Sequence, residues 1–486
     1  MLSKKKFAFL LSIIALLMIL FLSASTIPSL THYVLDNGLE LFIVENHNVP
    51  LATIQIAFRT GAISQDATNC GLFHLYEHML FKGNSKYRTQ SEFMAAMNKL
   101  GASSWNGGTS YEYVDYYFTI PSYNLEKGLE FWAYAVKEPL FLEEELIPER
   151  DVVASEVQGY LTSPSQIFSA ALNSRMFYKY PWRKDISGSV EIIKNATVAQ
   201  LRDIQNRFYI PNNAALFVGG DVNPKEVIEL AKKYYGDWKK GDDPWAKPLD
   251  PHPALPSDVN LIYPDGTFYT RYGLVRIAFR GPDVLKDTAD TYATDVFLFL
   301  VSNPNGKFKK NIYAGSPILL DPEYMDVYYP TQRDGGVIYF YAYIDTAIDN
   351  IIGEVERLRK VVLDEFNKVA TDPNYFTAEE LELAKTKLSD TNLFSMETPS
   401  SFIDTISFWW STATTDYFFS YEENCKKVTI QDIQKLINKY IIGKPAILQL
   451  RLHTNRFSDD LQMQNNIKKY NYEVISSQNA FWWNKK

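Results

Sequence analysis

The sequence IQIAFR at residues 54–59 returns as VRIAFR at residues 275–280. A second pair follows in the same order, because TVAQLRDI at 197–204 is matched by TIQDIQKL at 429–436. Either pair alone could arise by chance, but two pairs at similar offsets indicate an internal duplication. The duplication predicts an α+β fold of two homologous domains, each an antiparallel-rich sheet packed with helices.

A proline-rich stretch separates the two repeats. Between Gly241 and Val259, proline occurs at 244, 248, 251, 253 and 256, and such density continues neither a helix nor a central strand. We therefore predict a linker at 242–258 between a first domain at 31–241 and a second domain at 259–486. Each half is expected to fold as a similar domain.

Local signals in the first half predict alternating strands and helices. An Asn-Gly turn at 36–38 between two apolar runs indicates a β-hairpin. Strands are predicted at 51–58 and 113–120, and helices at 71–81 and 125–136. Thr89 followed by Glu92 resembles a capping box, which begins a helix that ends near Leu100.

Composition excludes several classes of function. The chain of 486 residues has a formal net charge of -8, and it has no basic stripe of the kind that nucleic-acid binding requires, so nucleic acid is not expected as a partner. Hydrophobic residues make up 46% of the chain, which is typical of a globular protein and not of disorder. Cys70 and Cys425 are too few for a disulfide scaffold, and two buried free thiols are favoured over a bridge.

The N-terminus has the order of a secretory signal. Lysines at 4–6 precede an uncharged apolar run at 7–22, and small residues follow at 23–25. The run is also nearly long enough to span a bilayer, for which about 17–25 residues are needed. Segment 1–25 is therefore either a cleaved signal peptide or a retained membrane anchor. In both cases the body is expected to be extracytoplasmic, either periplasmic or secreted, and no other segment is apolar enough to span.

The sequence HLYEH at residues 74–78 is the candidate metal motif. It falls in a predicted helix, where His74 and His78 at i and i+4 share a face and can bind one ion. Imidazoles suit Zn²⁺, and a catalytic zinc keeps three protein ligands and one position for water. Glu77 is placed to take a proton from that water as it attacks an amide carbonyl. A solvated helix face with two histidines is the plain alternative.

A third ligand is available farther along the chain. Glu149 and Glu156 are two helical turns apart and face the same way beside apolar valines. One of them can bind the metal while the other supports it. An ordinary acidic helix surface is the alternative.

With these residues the chain resembles the insulinase (pitrilysin) family of zinc metallopeptidases, whose His-x-x-Glu-His motif is of the inverzincin type. The Glu-x-x-x-x-x-x-Glu pair follows the motif at the family's spacing, and EHMLFKG at 77–83 matches the sequence that is typical of the family at this place. The resemblance implies that Glu156 is the third ligand of one Zn²⁺ per chain and that Glu149 supports the ligands. It also implies that Glu77 is the catalytic base.

The second half does not keep the motif. Asp295 stands where the repeat aligns with His74, and Leu298 and Phe299 stand at the positions of the Glu and the second His. The first domain is therefore expected to bind zinc. The second is expected to be an inactive homologous domain that completes the substrate chamber, as in family members.

The resemblance also suggests substrate contacts. Residues 102–109 resemble the family's edge strand, and Asn106 matches a position that holds the peptide backbone; a turn former is the alternative for Asn106. From the second domain the family usually supplies an Arg and a nearby Tyr. Tyr324 fits the Tyr position if one residue is gapped, but Pro317 stands in place of the Arg. A plain core aromatic is an equal alternative for Tyr324.

These features predict a zinc-dependent endopeptidase that hydrolyses peptide bonds in extended, unfolded peptides. Family members of this length close a chamber with a second chain, so the resemblance implies a homodimer or a heterodimer with a related subunit. The second hypothesis is a non-catalytic peptide-binding or scaffold subunit of a peptidase-like complex. Pro317 favours this hypothesis, and the intact motif opposes it.

Overall fold

The structure, a computed structural model, describes residues 29–457 and 461–484. The predicted signal peptide or anchor at 1–25 lies outside these ranges. Across the two described ranges, no helix is both long enough and apolar enough to cross a membrane.

Among the described residues, the first half of the chain builds a six-stranded sheet in the order β1-β2-β6-β3-β5-β4. Its strands are β1 (Leu30–Val34), β2 (Glu40–Glu45), β3 (Leu51–Phe58), β4 (Ser104–Thr109), β5 (Val114–Pro121) and β6 (Ala214–Gly220). Neighbouring strands are antiparallel except β2 and β6, which are parallel. The predicted hairpin joins β1 to β2, and Gly38 in its turn has a φ of 90°, which glycine adopts without strain.

The second half builds a matching sheet, also of six strands within the described ranges, in the order β12-β7-β11-β8-β10-β9. Its strands are β7 (Val259–Pro264), β8 (Tyr272–Arg280), β9 (Met325–Tyr328), β10 (Val337–Asp345), β11 (Ile447–Leu452) and β12 (Tyr472–Val474). Strand β7 is parallel to β11 and β12, and the other pairs are antiparallel.

Helices follow the strands in a similar order in both halves. The first half has α1 (Leu72–Leu80), α2 (Gln90–Lys99), α3 (Leu125–Lys137), α4 (Glu143–Tyr160), α5 (Pro164–Met176), α6 (Val190–Lys194), α7 (Val198–Phe208) and α8 (Pro224–Tyr235). The second half has α9 (Thr288–Val301), α10 (Lys307–Gly315), α11 (Ile351–Thr371), α12 (Ala378–Ser395), α13 (Pro399–Thr412), α14 (Thr415–Lys427), α15 (Ile430–Tyr440) and α16 (Leu461–Lys469).

The repeated sequences occupy equivalent places in the two halves. The repeat at 54–59 lies mainly in β3 and the repeat at 275–280 lies in β8, and each of these strands pairs on both sides in the middle of its sheet. The second repeat begins α7 before β6 and α15 before β11. Both helices start with a complete capping box, at Thr197 and at Thr429. The predicted α+β fold of two related sheet-and-helix halves is therefore confirmed.

Most elements predicted in the first half lie within one residue of their predicted bounds, and β3 matches them. The cap of α2 differs from the prediction. The Thr89 side chain accepts a hydrogen bond from the Glu92 amide, but the Glu92 carboxylate accepts from the Arg88 amide and not from that of Thr89. The capping box is thus only half formed.

Helix α13 of the second half covers the outer face of the first sheet. Its buried Phe402 and Trp410 pack against Phe217 and other apolar residues of β2, β3 and β6. Arg59, the last residue of the first repeat, places its guanidinium 3.9 Å from the centre of the Trp410 ring. The first sheet therefore depends on a helix from the other half.

Helix α5 of the first half returns this arrangement on the second sheet. Its buried Phe168 and Leu172 pack in one cluster with Leu261 of β7 and other residues of that sheet. Arg280, the last residue of the second repeat, lies 4.8 Å from the ring centre of Phe177, directly after α5. Each half thus lends one helix to the sheet of the other.

The proline-rich segment connects the halves without regular structure. Residues 236–258, all of which are described, contain no helix or strand. The segment packs against the two halves. Trp245 Nε1 donates a 3.0 Å hydrogen bond to Asn213 Oδ1, and the buried His252 side chain lies with its Nε2 3.0 Å from Asp334 Oδ2. Cys70 and Cys425 are both buried and free, as predicted.

Candidate metal centre

Helix α1 lies almost wholly inside the first half. Its apolar side chains are buried in the core: Leu72, Phe73, Leu75, Tyr76, Met79 and Leu80. The helix begins after Gly71, whose φ is 93° and at which an added Cβ would lie 2.9 Å from the Ser187 carbonyl oxygen. Glycine is required there because both the backbone angle and the close approach exclude a side chain. The polar residues of HLYEH occupy the face that remains, opposite α4.

His74, Glu77 and His78 form a compact group on that face. One ligand atom from each lies within 4.8 Å of the others. The two imidazole ring centres are 4.8 Å apart, and the rings are nearly perpendicular, at 89°. The two histidines therefore share one face of the helix.

Glu156, on α4, faces both histidines. Its Oε2 lies 3.9 Å from His74 Nε2 and 3.6 Å from His78 Nε2, while its Oε1 accepts a 2.6 Å hydrogen bond from Tyr160. Ligand atoms about 2.0–2.2 Å from a tetrahedral zinc are roughly 3.3–3.6 Å apart. The separation from His78 lies at the upper end of this range and that from His74 is slightly wider, and two imidazoles with a carboxylate are donors that zinc prefers. The residues present fit Zn²⁺.

Glu149, on the same helix, contacts the other ring nitrogen of His78. Its Oε1 is 2.9 Å from His78 Nδ1, and its Oε2 is 2.5 Å from Lys82 Nζ. Burial raises the pKa of Glu149, but the hydrogen bonds from His78 and Lys82 outweigh burial and hold it below its usual value. An ionised Glu149 accepts a hydrogen bond from the Nδ1–H of His78, and this bond raises the pKa of His78 against the effect of burial. In the neutral imidazole with this tautomer, the Nε2 lone pair faces Glu156.

Burial also decides the protonation of the other two residues of the group. It lowers the pKa of His74 to about 4, so the imidazole is in the neutral form that binds metals. The Nδ1 of His74 is buried and has no hydrogen-bond partner among the described residues. Burial raises the pKa of Glu77 to about 7, near the value that suits a general base. Thr109 Oγ1 donates a long hydrogen bond of 3.4 Å to Glu77.

A cavity of about 390 Å³ lies beside this group. His74 and Glu77 line it together with residues 107–109 of β4, the edge strand of the first sheet. An edge strand leaves one side of its backbone unpaired. Other parts of the wall come from α5, from the loop at 181–187 and from Phe481 and Trp482. Both halves of the chain therefore enclose the cavity.

The predicted substrate contacts lie outside this cavity. Asn106 is exposed on β4, which forms the predicted edge strand. Tyr324 ends the short 3₁₀ helix Pro322–Tyr324 and is 55% exposed, so the interpretation of Tyr324 as a core aromatic is wrong. Pro317 is exposed in a turn after α10, between the buried residues Ser316 and Ile318.

The corresponding position in the second half has no such group. Asp295, on α9, is half-buried and accepts a 2.6 Å hydrogen bond from the Tyr421 hydroxyl, and its loss of solvation raises its pKa to about 7. Leu298 and Phe299 pack against the apolar core. One carboxylate and two apolar side chains at these three positions do not supply the three ligands of a zinc site.

Sequence reasoning missed Lys82, Tyr160 and Trp482. Lys82 follows His78 by about one helical turn, and Tyr160 follows Glu156 by one turn, so helical spacing could have indicated both. Trp482 is far from the motif in sequence, and no local pattern points to it.

Known proteins resemble this chain in sequence and in fold. The zinc protease PqqE of Helicobacter pylori is 29% identical over 224 residues, which are 45% of this chain and 49% of that protein. The chain thus spans about half the length, or less, of the curated relatives that it matches. The crystal structure of a protease from Helicobacter pylori has a TM-score of 0.74 at 20% identity, covering 87% of this chain and 99% of that one. The first half of the periplasmic protease PqqL from Escherichia coli has a TM-score of 0.71 at 17% identity, covering 91% and 96%.

Two family models match most of the chain. The model of insulinase (peptidase family M16) matches residues 41–189, which include HLYEH, Glu149 and Glu156. The model of the peptidase M16 inactive domain matches residues 195–388, a range that begins before α7 and β6 of the first half and crosses the proline-rich segment. The chain belongs to the insulinase family, peptidase family M16.

Proposed function

We propose that this chain is a zinc-dependent endopeptidase that hydrolyses peptide bonds in extended, unfolded peptides. The observation that carries the proposal is the convergence of His74 Nε2 and His78 Nε2 on one oxygen of Glu156, at 3.9 and 3.6 Å. Glu77 lies in the same group and lines the adjoining cavity. In this proposal His74, His78 and Glu156 hold one Zn²⁺, and Glu149 orients His78.

Glu77 moves the proton in the proposed reaction. Zinc, when bound, polarises the attacking water and the scissile carbonyl. Glu77 accepts a proton from that water and later delivers it to the leaving amine nitrogen, a role that its place beside the histidines and the cavity allows. Tyr160 and Glu149 keep the carboxylate of Glu156 and the ring of His78 in place through hydrogen bonds.

The edge strand supports an extended substrate. Among the residues that the structure describes, strand β4 pairs only with β5, and residues 107–109 border the cavity. A peptide added to this edge would form backbone hydrogen bonds, which select an extended conformation rather than a sequence. We propose that Asn106 helps to hold this backbone and that Tyr324 contacts the substrate from the second half.

The first domain, at 31–241, is the active one in this proposal, and the second, at 259–486, completes the chamber after the linker at 242–258. The chain matches the first half of PqqL over 91% of its length. We therefore propose that a second chain, either identical or a related subunit, supplies what the rest of that longer protein supplies. The signal-like segment and the periplasmic location of PqqL support an extracytoplasmic location, with segment 1–25 as signal peptide or anchor.

Zinc content and peptide cleavage by the purified chain test the proposal together. We expect one zinc per chain, cleavage of an unfolded peptide, loss of cleavage on chelation and its recovery when zinc is restored. A chain that binds zinc and peptide but cleaves no peptide, alone or mixed with a related subunit, would instead be a non-catalytic scaffold. The complete donor set opposes that second hypothesis.

A further inference from the structure

The C-terminal segment reaches the cavity beside the catalytic residues. Phe481 and Trp482 line this cavity together with His74 and Glu77, although they stand at the other end of the sequence. Trp482 lies at the start of the short 3₁₀ helix Trp482–Asn484. Its side chain is thus available to whatever occupies the cavity.

Helix α5 holds this segment in place. Ser174 Oγ donates a 2.8 Å hydrogen bond to the Ala480 carbonyl, and Arg175 Nη2 donates a 2.9 Å hydrogen bond to the Asn479 carbonyl. Arg175 also pairs with Glu473. Because Ser174 and Arg175 are buried, the backbone just before Trp482 is fixed to the wall of the cavity.

Two neighbouring tryptophans share one carboxylate but face different surroundings. Trp482 Nε1 and Trp483 Nε1 donate to the same oxygen of Asp185, at 2.8 and 3.1 Å. The Trp483 ring packs 5.3 Å from Phe481, against the apolar cluster between α5 and the second sheet. Of these two tryptophans, Trp482 lines the cavity and Trp483 does not. Substituting each tryptophan in turn can therefore distinguish a contact with the cavity from a role in holding Asp185.

The charged groups along this part of the wall are already paired. Lys184 Nζ donates to Gln332 Oε1 and to the Asp334 carbonyl. Asp185 accepts from both tryptophans and, through its other oxygen, from the Gly188 amide at 3.0 Å. Because these groups have partners, the wall beside Trp482 offers an indole ring rather than an unpaired charge.

We infer that Trp482 forms the wall of a binding subsite that takes a bulky uncharged side chain of the peptide. The inference rests on the proposed function, since it requires that a peptide enters this cavity. A volume of about 390 Å³ is enough for a large side chain. Contact with the indole ring favours an aromatic or large aliphatic residue over alanine, and the selectivity of the enzyme then depends on its own C-terminal segment.

Matched peptides on the zinc-loaded chain test this subsite. The peptides differ only at one residue beside the cleaved bond, which is Phe, Leu, Ala, Lys or Glu. Both kcat/KM and the Kd from fluorescence anisotropy are measured for the wild type, Trp482→Ala, Trp482→Leu and Trp483→Ala. Melting temperatures report folding of each variant.

The wild type should prefer the Phe peptide over the Ala peptide, and Trp482→Ala should lower that preference about tenfold. Trp482→Leu should lower it by less, and this variant decides the question if Trp482→Ala does not fold. Trp483→Ala removes the neighbouring hydrogen bond to Asp185, yet it should leave the Phe-to-Ala ratio unchanged.

An unchanged ratio in the Trp482 variants, an equal loss in Trp483→Ala, or a preference for Lys would overturn the subsite. If peptides are cleaved but the ratio does not depend on Trp482, the subsite fails and the peptidase function stands. If peptides bind with the predicted ratio but none is cleaved, the catalytic proposal fails and the subsite stands.

Discussion

Helices α1 and α9 follow equivalent strands of the two halves, but only α1 has the side chains of a metal site. Helix α1 places His74, Glu77 and His78 beside two glutamates of α4. Helix α9 has Asp295 at the position of His74, hydrogen-bonded to Tyr421, and Leu298 and Phe299 at the positions of Glu77 and His78. The repeated strands and caps therefore set the fold, whereas a few side chains on one helix set the chemistry.

The sequence predicts that each half folds as a domain of its own, but in the structure each sheet is covered by a helix from the other half. The halves are therefore not expected to be independent. We expect segments 29–241 and 259–486, expressed separately, to expose an apolar sheet face and to aggregate or to lack a cooperative unfolding transition. Expressed together, they should co-purify and unfold in one transition. Two monomeric halves that each unfold cooperatively would contradict the importance of the exchanged helices α5 and α13.

Replacing Glu77, the proposed base, should slow the hydrolysis of peptides without affecting zinc binding. Glu77→Gln should keep zinc bound and lower kcat by on the order of 10²–10⁴-fold, because Glu77 moves protons and is not a ligand in this account. Metal analysis and peptide turnover measure the two effects. The exposed Glu144→Gln on α4 is the matched control, and near-normal turnover of Glu77→Gln would exclude Glu77 as the base.

The two glutamates of α4 should differ in their effect on zinc. Glu156→Gln weakens a ligand and should lower zinc occupancy, whereas Glu149→Gln changes a group that orients His78 and should cost about 10–100-fold in affinity or activity. Competition with a chelator measures zinc affinity in both variants. A greater loss of metal in Glu149→Gln would exchange the two roles.

A smaller effect, on the pH dependence of stability, is expected from Asp295 in the half without the metal motif. Its pKa is raised from 3.8 to about 7 by burial, so between these values the folded state binds more protons than the unfolded state. Its contribution to the free energy of unfolding therefore falls as pH rises from about 4 to about 7, by at most about 4 kcal/mol.

Asp295→Asn should remove this slope, because the amide does not titrate and its oxygen can still accept from Tyr421. Urea unfolding at pH 5 and pH 7.5, with and without zinc, measures it. The variant should gain stability relative to the wild type at the higher pH, independently of zinc. Parallel pH profiles for the two proteins would show that Asp295 is ionised when folded.

Sequence reasoning could predict the duplication, the central strands and the grouping of His74 with His78, because these depend on local periodicity and on helical spacing. It could not predict that α5 packs on the second sheet and α13 on the first, since apolar residues on a helix do not reveal which sheet they cover. It could not place Trp482 in the cavity for the same reason. The sequence does not decide between core and surface for Tyr324, because an isolated aromatic residue does not indicate its own exposure.

Anomalous diffraction at the zinc absorption edge, on crystals of the full chain, tests the central comparison most directly. The account predicts one zinc per chain, within about 2.0–2.2 Å of His74 Nε2, His78 Nε2 and a Glu156 oxygen, and no peak near Asp295. A zinc bound elsewhere, or no zinc at these residues in crystals grown with excess metal, would contradict it.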